Sequence, residues 1–238
     1  MSGKLEAAVR LLFPDRCIIC GKIVNGGAAC CPDCVDKIVF CRDGRMCKKC
    51  SRPVPEGQLF CRDCLIHPHY FTACFSAALY EGELRRCLLR YKFYNHPEYH
   101  RGYARLMLSH LLSFDALPRF GAVLGVPLSK QRLRQRGYQQ AELIARAVAK
   151  GLRAPFYKNC VRKNRHTPAQ STLTYQERLK NLSGAFFVEK PELIRDQTIL
   201  LVDDIFTTGA TADEIAKILL KAGAKEIYVT TVAVTPFE

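Results

Sequence analysis

The 238-residue chain is predicted to be an α/β protein with a doubly wound, mostly parallel sheet, preceded by a small cysteine-rich unit. Cys-x-x-Cys pairs are confined to the first 64 residues, and strand-length apolar runs alternate with amphipathic helical segments after residue 71. Such alternation is typical of a parallel sheet covered by helices on both faces. We therefore divide the chain into residues 1–70 and 71–238, and its 48% apolar residues suffice for a full core.

The segment "MSGKLEAAVRLLFPDRC" at the amino terminus is predicted to form a short amphipathic helix. Lys4, Glu6 and Arg10 interrupt its apolar residues, so it lacks the features of a signal peptide. The longest apolar runs are strand-length, far below the roughly 20 residues of a membrane span. Thirteen cysteines without a secretion signal favour thiols and metal sites over disulfides, so we expect a cytoplasmic protein without membrane insertion.

Eight cysteines form four Cys-x-x-Cys pairs, and each member of the first two pairs recurs 30 residues later, which indicates an internal duplication. Two such pairs supply the four thiolates of a tetrahedral structural zinc site. We expect two sequential sites, one per repeat, with a cross-braced pairing as the alternative and an iron–sulfur cluster as a weaker one. The predicted ligands are Cys17, Cys20, Cys31 and Cys34 for one zinc, and Cys47, Cys50, Cys61 and Cys64 for the other.

The second unit contains the following predicted elements in chain order. "TACFSAALY" is a strand, "EGELRRCLLRYKF" and residues 98–113 are helical, "GAVLGVP" is a buried strand, and "YQQAELIARAVAKGL" is a helix ended by Gly151. "PFYKNCVR" is a short strand, "TILLVDD" is a buried strand, "GATADEIAKILLKAGA" is a helix closed by Gly223, and "EIYVTTVAV" is the last strand. Ligands of such sheets bind beyond the carboxyl ends of the strands.

Asp203 and Asp204 lie at one of these carboxyl ends, directly before a turn that opens a helix. The amide groups and dipole of a helix amino terminus attract phosphate, and hydroxyl side chains add donors. Carboxylates, in contrast, accept hydrogen bonds from the hydroxyls of a vicinal diol. A 5-phosphorylated ribose satisfies both demands. The predicted phosphate cradle consists of Thr207, Thr208, Gly209, Ala210 and Thr211.

The string "ILLVDDIFTTGAT" resembles the 5-phosphoribosyl-1-pyrophosphate (PRPP) motif of type I phosphoribosyltransferases. The resemblance implies the type I phosphoribosyltransferase fold and Mg²⁺-dependent displacement of pyrophosphate from PRPP, with Asp203 and Asp204 in the catalytic site. "VPLSK" occupies the place of the family's pyrophosphate loop, where the amides of Leu128, Ser129 and Lys130 are candidate donors. Lys130 and Arg132 are candidates for stabilising the charge of the leaving group. Neither a Walker loop nor a G-x-G-x-x-G fingerprint is present.

The positive charge is concentrated in the middle of the chain. Residues 130–165 contain 11 basic residues and one acid, Glu142, within a formal net charge of +14. Two Zn²⁺ sites of four thiolates each would carry about −2 apiece, so the first 70 residues contribute little positive charge. This pattern favours a polyanionic ligand over solvated helix faces. For a single DNA strand, the candidate contacts are Arg132, Arg134, Arg136, Arg162, Lys163 and Arg165, with Tyr138 available for stacking.

The three arginines of "RLRQR" would align on one side if that segment were extended. The segment "RKNRHTPAQSTLTYQERLKNLSGAF", residues 162–186, is typical of a mobile loop followed by a short helix. In type I phosphoribosyltransferases a flexible hood closes over the substrate at a similar place. Arg165, Gln170 and Arg178 are candidates to enter the site from this segment, and His166 is a candidate acid or base.

The order of motifs is similar to that of the competence protein F (ComF) family across nearly the whole chain. It comprises the cysteine pairs, "VPLSKQRLRQRGYQQAELIA", "TPAQSTLTYQERLKNLSGAF" and the PRPP motif, although the family usually has Asn where this chain has Gln139. The resemblance implies a cytoplasmic role in the uptake or use of imported DNA, with single-stranded DNA and uptake proteins such as a competence helicase as partners. Two hypotheses follow: Mg²⁺-dependent phosphoribosyl transfer to an unknown acceptor, or a non-catalytic module that binds single-stranded DNA or a nucleotide.

Overall fold

The computed structural model describes residues 14–41, 45–165, 177 and 181–236. The predicted amino-terminal helix lies outside these residues, as do His166, Gln170 and Arg178 of the hood segment. The helices of the described part are α1 (Pro32–Val35), α2 (Arg62–Ile66), α3 (Gly82–Phe93), α4 (His100–Leu111), α5 (Lys130–Arg136), α6 (Gln140–Leu152) and α7 (Ala210–Lys221). The strands are β1 (Ala73–Leu79), β2 (Ala122–Gly125), β3 (Val161–Lys163), β4 (Phe186–Val188), β5 (Thr198–Phe206) and β6 (Glu226–Val234).

Four strands form a parallel sheet in the order β1, β6, β5, β2. Leu200 of β5 pairs with Tyr228 of β6, and Leu201 pairs with Leu124 of β2. Helices α4 and α6 pack on one face of this sheet and α7 packs on the other, so the predicted doubly wound architecture is confirmed. Strands β3 and β4 form a separate antiparallel pair.

The central strand β5 is apolar on both faces because both are covered by helices. Leu200 and Val202 belong to the apolar cluster that contains α4 and α6, whereas Ile199 and Leu201 belong to the cluster that contains α7. All four residues are fully buried. The continuous run "ILLV" thus contributes side chains to both apolar clusters of the domain. It ends directly before the acidic residues of the predicted site.

The first cysteine repeat packs on the face that carries α4. Ile18 lies against Gly102 of α4, where an added Cβ atom would come within 2.4 Å of the Ile18 Cγ2 atom. Arg90 of α3 donates a hydrogen bond of 2.9 Å to the carbonyl of Ile19. The first repeat is therefore anchored to α3 and α4, and only a residue without a side chain fits at position 102.

The second cysteine repeat packs in the cluster that contains α7, on the opposite face of the sheet. Ser51 holds it against β1, because its hydroxyl donates to the carbonyl of Cys74 at 2.6 Å and accepts from the amide of Ser76 at 3.1 Å. Ser51 has a φ of 61°, and Gly21, its counterpart 30 residues earlier, has a φ of 76°. The duplication therefore extends to the left-handed turn after each first cysteine pair.

The segment between the repeats lies along the free edge of β1. The amide of Leu79 donates to the carbonyl of Val39 at 2.7 Å, and the amide of Cys41 donates to the carbonyl of Ala77 at 3.1 Å. Phe40 and Ala78 form an antiparallel bridge. The chain thus covers one edge of its own sheet while it passes from one face to the other.

Two details of the sequence prediction are wrong. Helix α6 continues through Gly151 to Leu152 and ends at Arg153, which takes the left-handed φ of 53°. Gly151 instead provides space for Leu108 of α4, because an added Cβ would lie 2.3 Å from the Leu108 Cδ1 atom. The other helix ending was predicted correctly, since Gly223 follows α7 with a φ of 96°.

The predicted strand "PFYKNCVR" is also divided. Phe156 forms a single parallel bridge with Val123 at the edge of the main sheet. Asn159 then adopts a left-handed φ of 57°, which breaks the extended run. Only Val161–Lys163 continues as a strand, and it pairs with β4 rather than with the main sheet.

Candidate functional site

The eight predicted cysteine ligands form two clusters, one in each repeat. Within each cluster all four sulfur atoms lie within 4.8 Å of one another. The Sγ atoms of Cys20 and Cys31 are 3.7 Å apart, and those of Cys50 and Cys61 are 3.6 Å apart. A tetrahedron with Zn–S bonds of about 2.3 Å requires sulfur–sulfur distances of about 3.8 Å. The clusters therefore fit two structural zinc ions with sequential pairing, and the cross-braced alternative is excluded.

The turn after β5 leads directly into the amino terminus of α7. Gly209 precedes the first helical residue with a φ of 82°, and an added Cβ at this position would lie 2.7 Å from the Phe206 ring. The first amides of α7 point out of the helix without partners within it. Asp203, Thr207, Gly209 and Thr211 line one small crevice at this turn. Thr208 and Ala210 belong to the same turn but lie outside that lining.

The two acidic residues at the end of β5 have different surroundings. The Asp204 carboxylate is buried and forms an ion pair with Lys92 of α3, with 2.9 Å between Oδ1 and Nζ. Asp203 is half-buried, lines the crevice, and accepts a hydrogen bond of 2.8 Å from the amide of Asp204. One carboxylate therefore forms an ion pair with a cation, while the other lines the crevice at the start of α7.

Burial is the largest cause that raises the pKa of Asp203 to about 7, and the negative charge of Asp204 raises it further. Lys92 and Arg136 oppose this shift through their positive charges. The raised pKa means that the Asp203 carboxyl keeps its proton to a higher pH than an exposed aspartate does. A ligand hydroxyl or a cation that favours the charged form would draw the proton off.

The second cysteine repeat holds the turn that carries the predicted phosphate cradle. Arg52, whose side chain is 8% exposed, donates hydrogen bonds to the Asp63 carboxylate and to the main-chain carbonyl of Thr207. The predicted metal-binding unit is thus joined directly to the loop through one guanidinium.

A buried histidine–aspartate pair supports the same turn from the side of α7. The Nδ1 atom of His69 and a carboxylate oxygen of Asp213 are hydrogen-bonded, and both side chains are 3% exposed. The other carboxylate oxygen of Asp213 accepts from the amide of Tyr70 at 2.9 Å. An added Cβ on Gly209 would lie 3.1 Å from the His69 ring, so this pair also forms the back wall of the loop.

The predicted pyrophosphate loop connects β2 to α5. Ser129 is buried and is the amino-terminal cap of α5, where its hydroxyl accepts from the amide of Arg132 at 3.4 Å. The amide of Leu128 donates to the Gln139 side-chain carbonyl at 2.8 Å. Of the three amides predicted to meet a pyrophosphate, that of Leu128 therefore already has a partner. The side chain of Gln139 thus reaches back to the loop.

The segment from residue 130 to residue 136 is helical, so the prediction of an extended row of arginines is wrong. Ser129 caps the helix and Gly137 ends it with a φ of 76°. On a helix, Arg132 and Arg136 lie one turn apart on the same side, whereas Arg134 points elsewhere. Burial lowers the pKa of Arg132, and the nearby Arg136 adds to that effect.

A basic cluster forms between α5 and β3. Lys130, Arg134, Lys163 and Arg165 line one surface pocket together with the Ser129 turn. Burial lowers the pKa of Lys163 to about 8, and the charges of Arg132 and Arg165 lower it further. The Lys163 ammonium also lies 5.0 Å from the Phe186 ring centroid. Four of the predicted nucleic-acid contacts therefore converge: Arg132, Arg134, Lys163 and Arg165.

Two of the predicted nucleic-acid contacts are directed elsewhere. Arg162 alternates with Lys163 along β3 and forms an ion pair with Glu189, with 2.5 Å between Nε and Oε2. The hydroxyl of Tyr138 donates to the carbonyl of Tyr91, and the two rings pack 5.5 Å apart. Burial raises the pKa of Tyr138 to about 12. Tyr138 is therefore part of the packing around Tyr91 of α3, and its ring is only partly exposed.

Two protein families match this chain, one over the cysteine-rich part and one over the α/β part. A double zinc ribbon domain matches residues 8–65, and a phosphoribosyl transferase domain matches residues 137–236. Competence protein F of Haemophilus influenzae is 32% identical over 227 residues, which cover 91% of this chain and 96% of that protein. The chain belongs to the competence protein F (ComF) family. Among other ComF relatives, DNA utilization protein YhgH of Escherichia coli is 30% identical and competence protein ComFC of Bacillus subtilis is 28% identical.

The matches to these relatives span most of this chain and most of each relative. The match to YhgH spans 79% of this chain and 83% of that protein, and the match to ComFC spans 76% and 73%. Among solved structures, an adenine phosphoribosyltransferase is 19% identical with a TM-score of 0.37, over 58% of this chain and 73% of that one. The allosteric regulatory enzyme of purine biosynthesis is 20% identical with a TM-score of 0.40, over 60% of this chain and 30% of that one.

Four residues around the crevice were not predicted from the sequence. Lys92 follows the apolar pattern of α3 as an ordinary basic residue, and Arg52 follows a cysteine pair in the same way. His69 and Asp213 are 144 residues apart. No local pattern marks these side chains, because their partners come from distant parts of the chain.

None of the helices in the described ranges has both the length and the apolar character of a membrane span.

Proposed function

We propose that this chain binds a 5-phosphorylated ribose, with PRPP and Mg²⁺ as the complete ligand, and acts in the uptake or use of imported DNA. The observation that carries the proposal is the crevice that places a carboxylate, two threonines and the Gly209 turn around one space at the start of α7. A phosphate would bind to the helix amides, and the ribose hydroxyls would bind to Asp203. The role in DNA use is supported by the names of the relatives, which include a DNA utilization protein and a competence protein.

The donor set also fits a magnesium-bound ligand. Mg²⁺ prefers oxygen ligands and is commonly held by one or two carboxylates together with the phosphates of a substrate. Asp203 offers such an oxygen in the crevice, while Asp204 is bound to Lys92. When bound, the ion would neutralise the charge that develops on a departing pyrophosphate. Ser129, Lys130 and Arg132 remain the predicted contacts of that group.

Phosphoribosyl transfer is the reaction that this arrangement supports best. Val126, at the start of the connection from β2 to α5, lines the crevice, and we propose that a pyrophosphate on the ribose meets the amides of Ser129 and Lys130 and the guanidinium of Arg132 further along this connection. The proposed role of these residues is to orient and stabilise the leaving group. The acceptor of the ribosyl group stays unassigned, and release of pyrophosphate in the presence of a panel of nucleobases would identify it.

Ligand binding is tested with ribose 5-phosphate and PRPP, each titrated calorimetrically with and without Mg²⁺. Thr211→Val removes a hydroxyl from the crevice at nearly constant shape, and Thr198→Val makes the same change at the other end of β5. A hydrogen bond to a charged group contributes about 1.5–3 kcal/mol, so we expect Thr211→Val to weaken phosphate binding roughly tenfold or more. Thr198→Val should leave it unchanged. Failure of the wild-type protein to bind either compound would refute the proposal.

A non-catalytic role in binding single-stranded DNA is the second candidate. It is favoured by the basic cluster of Lys130, Arg134, Lys163 and Arg165, which lies outside the crevice. Binding through several phosphate contacts weakens steeply with salt, whereas a small ligand held by one phosphate and Mg²⁺ depends on salt less. Oligonucleotide binding measured against salt concentration, in the presence and absence of PRPP, would show whether the two ligands use separate surfaces.

A further inference from the structure

Two adjacent aromatic side chains at the end of α3 extend into solvent. Phe93, the last residue of the helix, exposes 65% of its surface, and Tyr94 exposes 69%. Single exposed apolar residues are normal on protein surfaces, but adjacent aromatic residues form a patch, and such patches mark binding surfaces. Their location decides which partner they fit.

This pair lies near the two acidic residues at the carboxyl end of β5. Lys92, the residue before Phe93, forms the ion pair with Asp204. The guanidinium of Arg136 lies 5.3 Å from the centroid of the Phe93 ring. The same guanidinium is close enough to Asp203 to lower its pKa. Phe93 is therefore connected to both acidic residues of the site through two neighbouring cations.

The Phe93 ring is held by its surroundings while most of its surface stays open. Arg136 is fixed in turn by a hydrogen bond of 3.2 Å from its Nη1 atom to the side-chain carbonyl of Gln140. A cation over one part of an aromatic ring restricts its orientation and contributes attraction of its own. An exposed aromatic ring next to cations suits a ligand that is both planar and anionic, because bases stack on aromatic side chains and phosphates bind cations.

We propose that Phe93, with Tyr94 beside it, is the stacking surface for the base of a nucleotide whose 5-phosphoribosyl group occupies the crevice. This inference rests on the proposed function, because it requires the crevice to hold the ribose phosphate. The ligand chemistry is a heteroaromatic base on a ribose 5-phosphate or deoxyribose 5-phosphate. A free nucleoside monophosphate and the terminal nucleotide of a 5′-phosphorylated strand both supply it.

The proposal replaces the stacking role first assigned to Tyr138. The hydroxyl of Tyr138 donates to the Tyr91 carbonyl and its ring packs against Tyr91, so this ring is held in a packing contact and is only partly exposed. Phe93 lies on the same side of the molecule, because both residues neighbour Arg136 in space or in sequence. Of the two aromatic residues near Arg136, Phe93 is the more exposed and is therefore the better placed for a single strand or nucleotide.

The experiment compares ribose 5-phosphate with adenosine 5′-monophosphate, since the two differ by the base. Both are titrated into the wild type, Phe93→Leu and Phe187→Leu. The latter variant makes the same change at an exposed residue of β4, at the position that pairs with Arg162 on the face away from Lys163. We expect the base to tighten binding about 5- to 100-fold in the wild type and in Phe187→Leu. Phe93→Leu should remove this gain and leave ribose 5-phosphate binding unchanged.

The possible outcomes separate the two proposals. Equal binding of the two compounds by the wild type, or an unchanged gain in Phe93→Leu, would overturn the stacking surface and leave the proposed function standing. Failure of both compounds to bind would remove the proposed function and the stacking surface together. Since Phe93 is largely exposed, the leucine variant should fold, and binding of ribose 5-phosphate by that variant confirms that it has.

A fluorescent nucleotide gives an independent readout of stacking. The chain contains no tryptophan, so 2-aminopurine riboside 5′-monophosphate can be excited selectively. We expect its fluorescence to be quenched by the wild type and by Phe93→Tyr, which keeps the ring, but not by Phe93→Leu. Displacement by a 5′-phosphorylated oligonucleotide, and not by the same strand with a 5′-hydroxyl, would identify a strand end as the source of the base. Displacement by adenosine monophosphate alone would identify the free nucleotide, and equal quenching by Phe93→Leu would contradict the stacking surface.

Discussion

The guanidinium of Arg52 bridges the second zinc ribbon and the phosphate loop, because it donates both to the Asp63 carboxylate and to the main-chain carbonyl of Thr207. The first ribbon has no such connection among the described residues and is anchored instead to α3 and α4. The two copies of the duplicated unit have therefore taken different structural positions. Only the second one contacts the crevice.

Replacement of Arg52 should weaken ligand binding without loss of zinc. Arg52→Met leaves the Thr207 carbonyl without its cationic donor, and we expect ribose 5-phosphate binding to fall by about tenfold, as for the loss of one hydrogen bond to a charged group. Hydrogen exchange of the amides of residues 205–211 should accelerate. Arg105→Met, which breaks the contact of Arg105 in α4 with Asp15 beside the first ribbon, is the matched control. Unchanged binding and exchange in Arg52→Met would contradict the coupling.

Metal content should report the sequential pairing of the ligands. Cys20→Ser and Cys50→Ser should each lower the zinc content from two ions to one, because each removes one of four thiolates from a different site. Elemental analysis and native mass spectrometry measure this number. Of the two variants, only Cys50→Ser should also weaken ribose 5-phosphate binding. Loss of both ions from either variant would show that the sites are not independent.

The ion pair between Lys92 and Asp204 should show strong coupling in a double-mutant cycle. Removal of one partner leaves a buried charge, so Lys92→Met should lower the free energy of unfolding by about 2–4 kcal/mol. Lys92→Met combined with Asp204→Asn should recover at least half of that loss. Lys22→Met, which breaks a solvent-exposed pair with Asp33, should leave stability unchanged. Urea unfolding of the four proteins and of this control measures the cycle, and additive effects would argue against the pair.

The stability gained by Asp203→Asn should depend on pH. The folded-state pKa of Asp203 is raised to about 7, from an unfolded value near 4. Between these values the folded protein retains a proton that the unfolded chain has released, so Asp203 lowers stability progressively as pH rises from about 4 to 7. The asparagine variant should therefore equal the wild type near pH 4 and exceed it by on the order of 4 kcal/mol above pH 7, since each of the three pKa units corresponds to about 1.4 kcal/mol.

Urea unfolding at several pH values between 5 and 8 tests this dependence. The comparison between variant and wild type cancels the common effect of pH on the zinc thiolates. Asp115→Asn serves as the control, because Asp115 is an exposed aspartate that does not line the crevice. A constant difference between Asp203→Asn and the wild type across the range would be inconsistent with the raised pKa.

The basic cluster should determine the salt dependence of single-strand binding. Lys130→Met and Arg134→Met should each weaken binding and lower the slope of log K against log salt by about 0.7–1. Methionine preserves the helix tendency of α5, so these changes test charge rather than folding. Arg162→Met should leave the slope unchanged, because Arg162 pairs with Glu189 on the other side of β3. Equal slopes in all four proteins would assign the DNA contacts to another surface.

The sequence predicted the features that depend on local pattern. The run of apolar residues from 199 to 202, the two aspartates and the glycine before α7 were all read from neighbouring residues, because strand burial and helix starts follow from local composition. The zinc ligands were predicted from their spacing for the same reason. The last strand, Glu226–Val234, has the bounds that were expected.

The remaining features depend on contacts between distant residues. Gly151 looked like a helix end, but the packing of Leu108 determined its position. The alternating arginines of α5 would align only on an extended segment. Ser129 caps a helix at this place instead, and the spacing of the arginines alone does not distinguish the two conformations. Arg52, Lys92 and the His69–Asp213 pair could not be predicted, since their partners are identified only when the chain has folded.

The segment around Phe40 bears on how the protein avoids self-association. An uncovered β1 would offer a row of amide and carbonyl groups to a neighbouring molecule, which is a common start of aggregation. Here the segment around Phe40, which connects the two ribbons, forms hydrogen bonds with the edge of β1 and covers these groups. Loss of zinc would loosen the ribbons on both sides of this segment and uncover the edge of β1, so we expect the zinc-free protein to lose solubility.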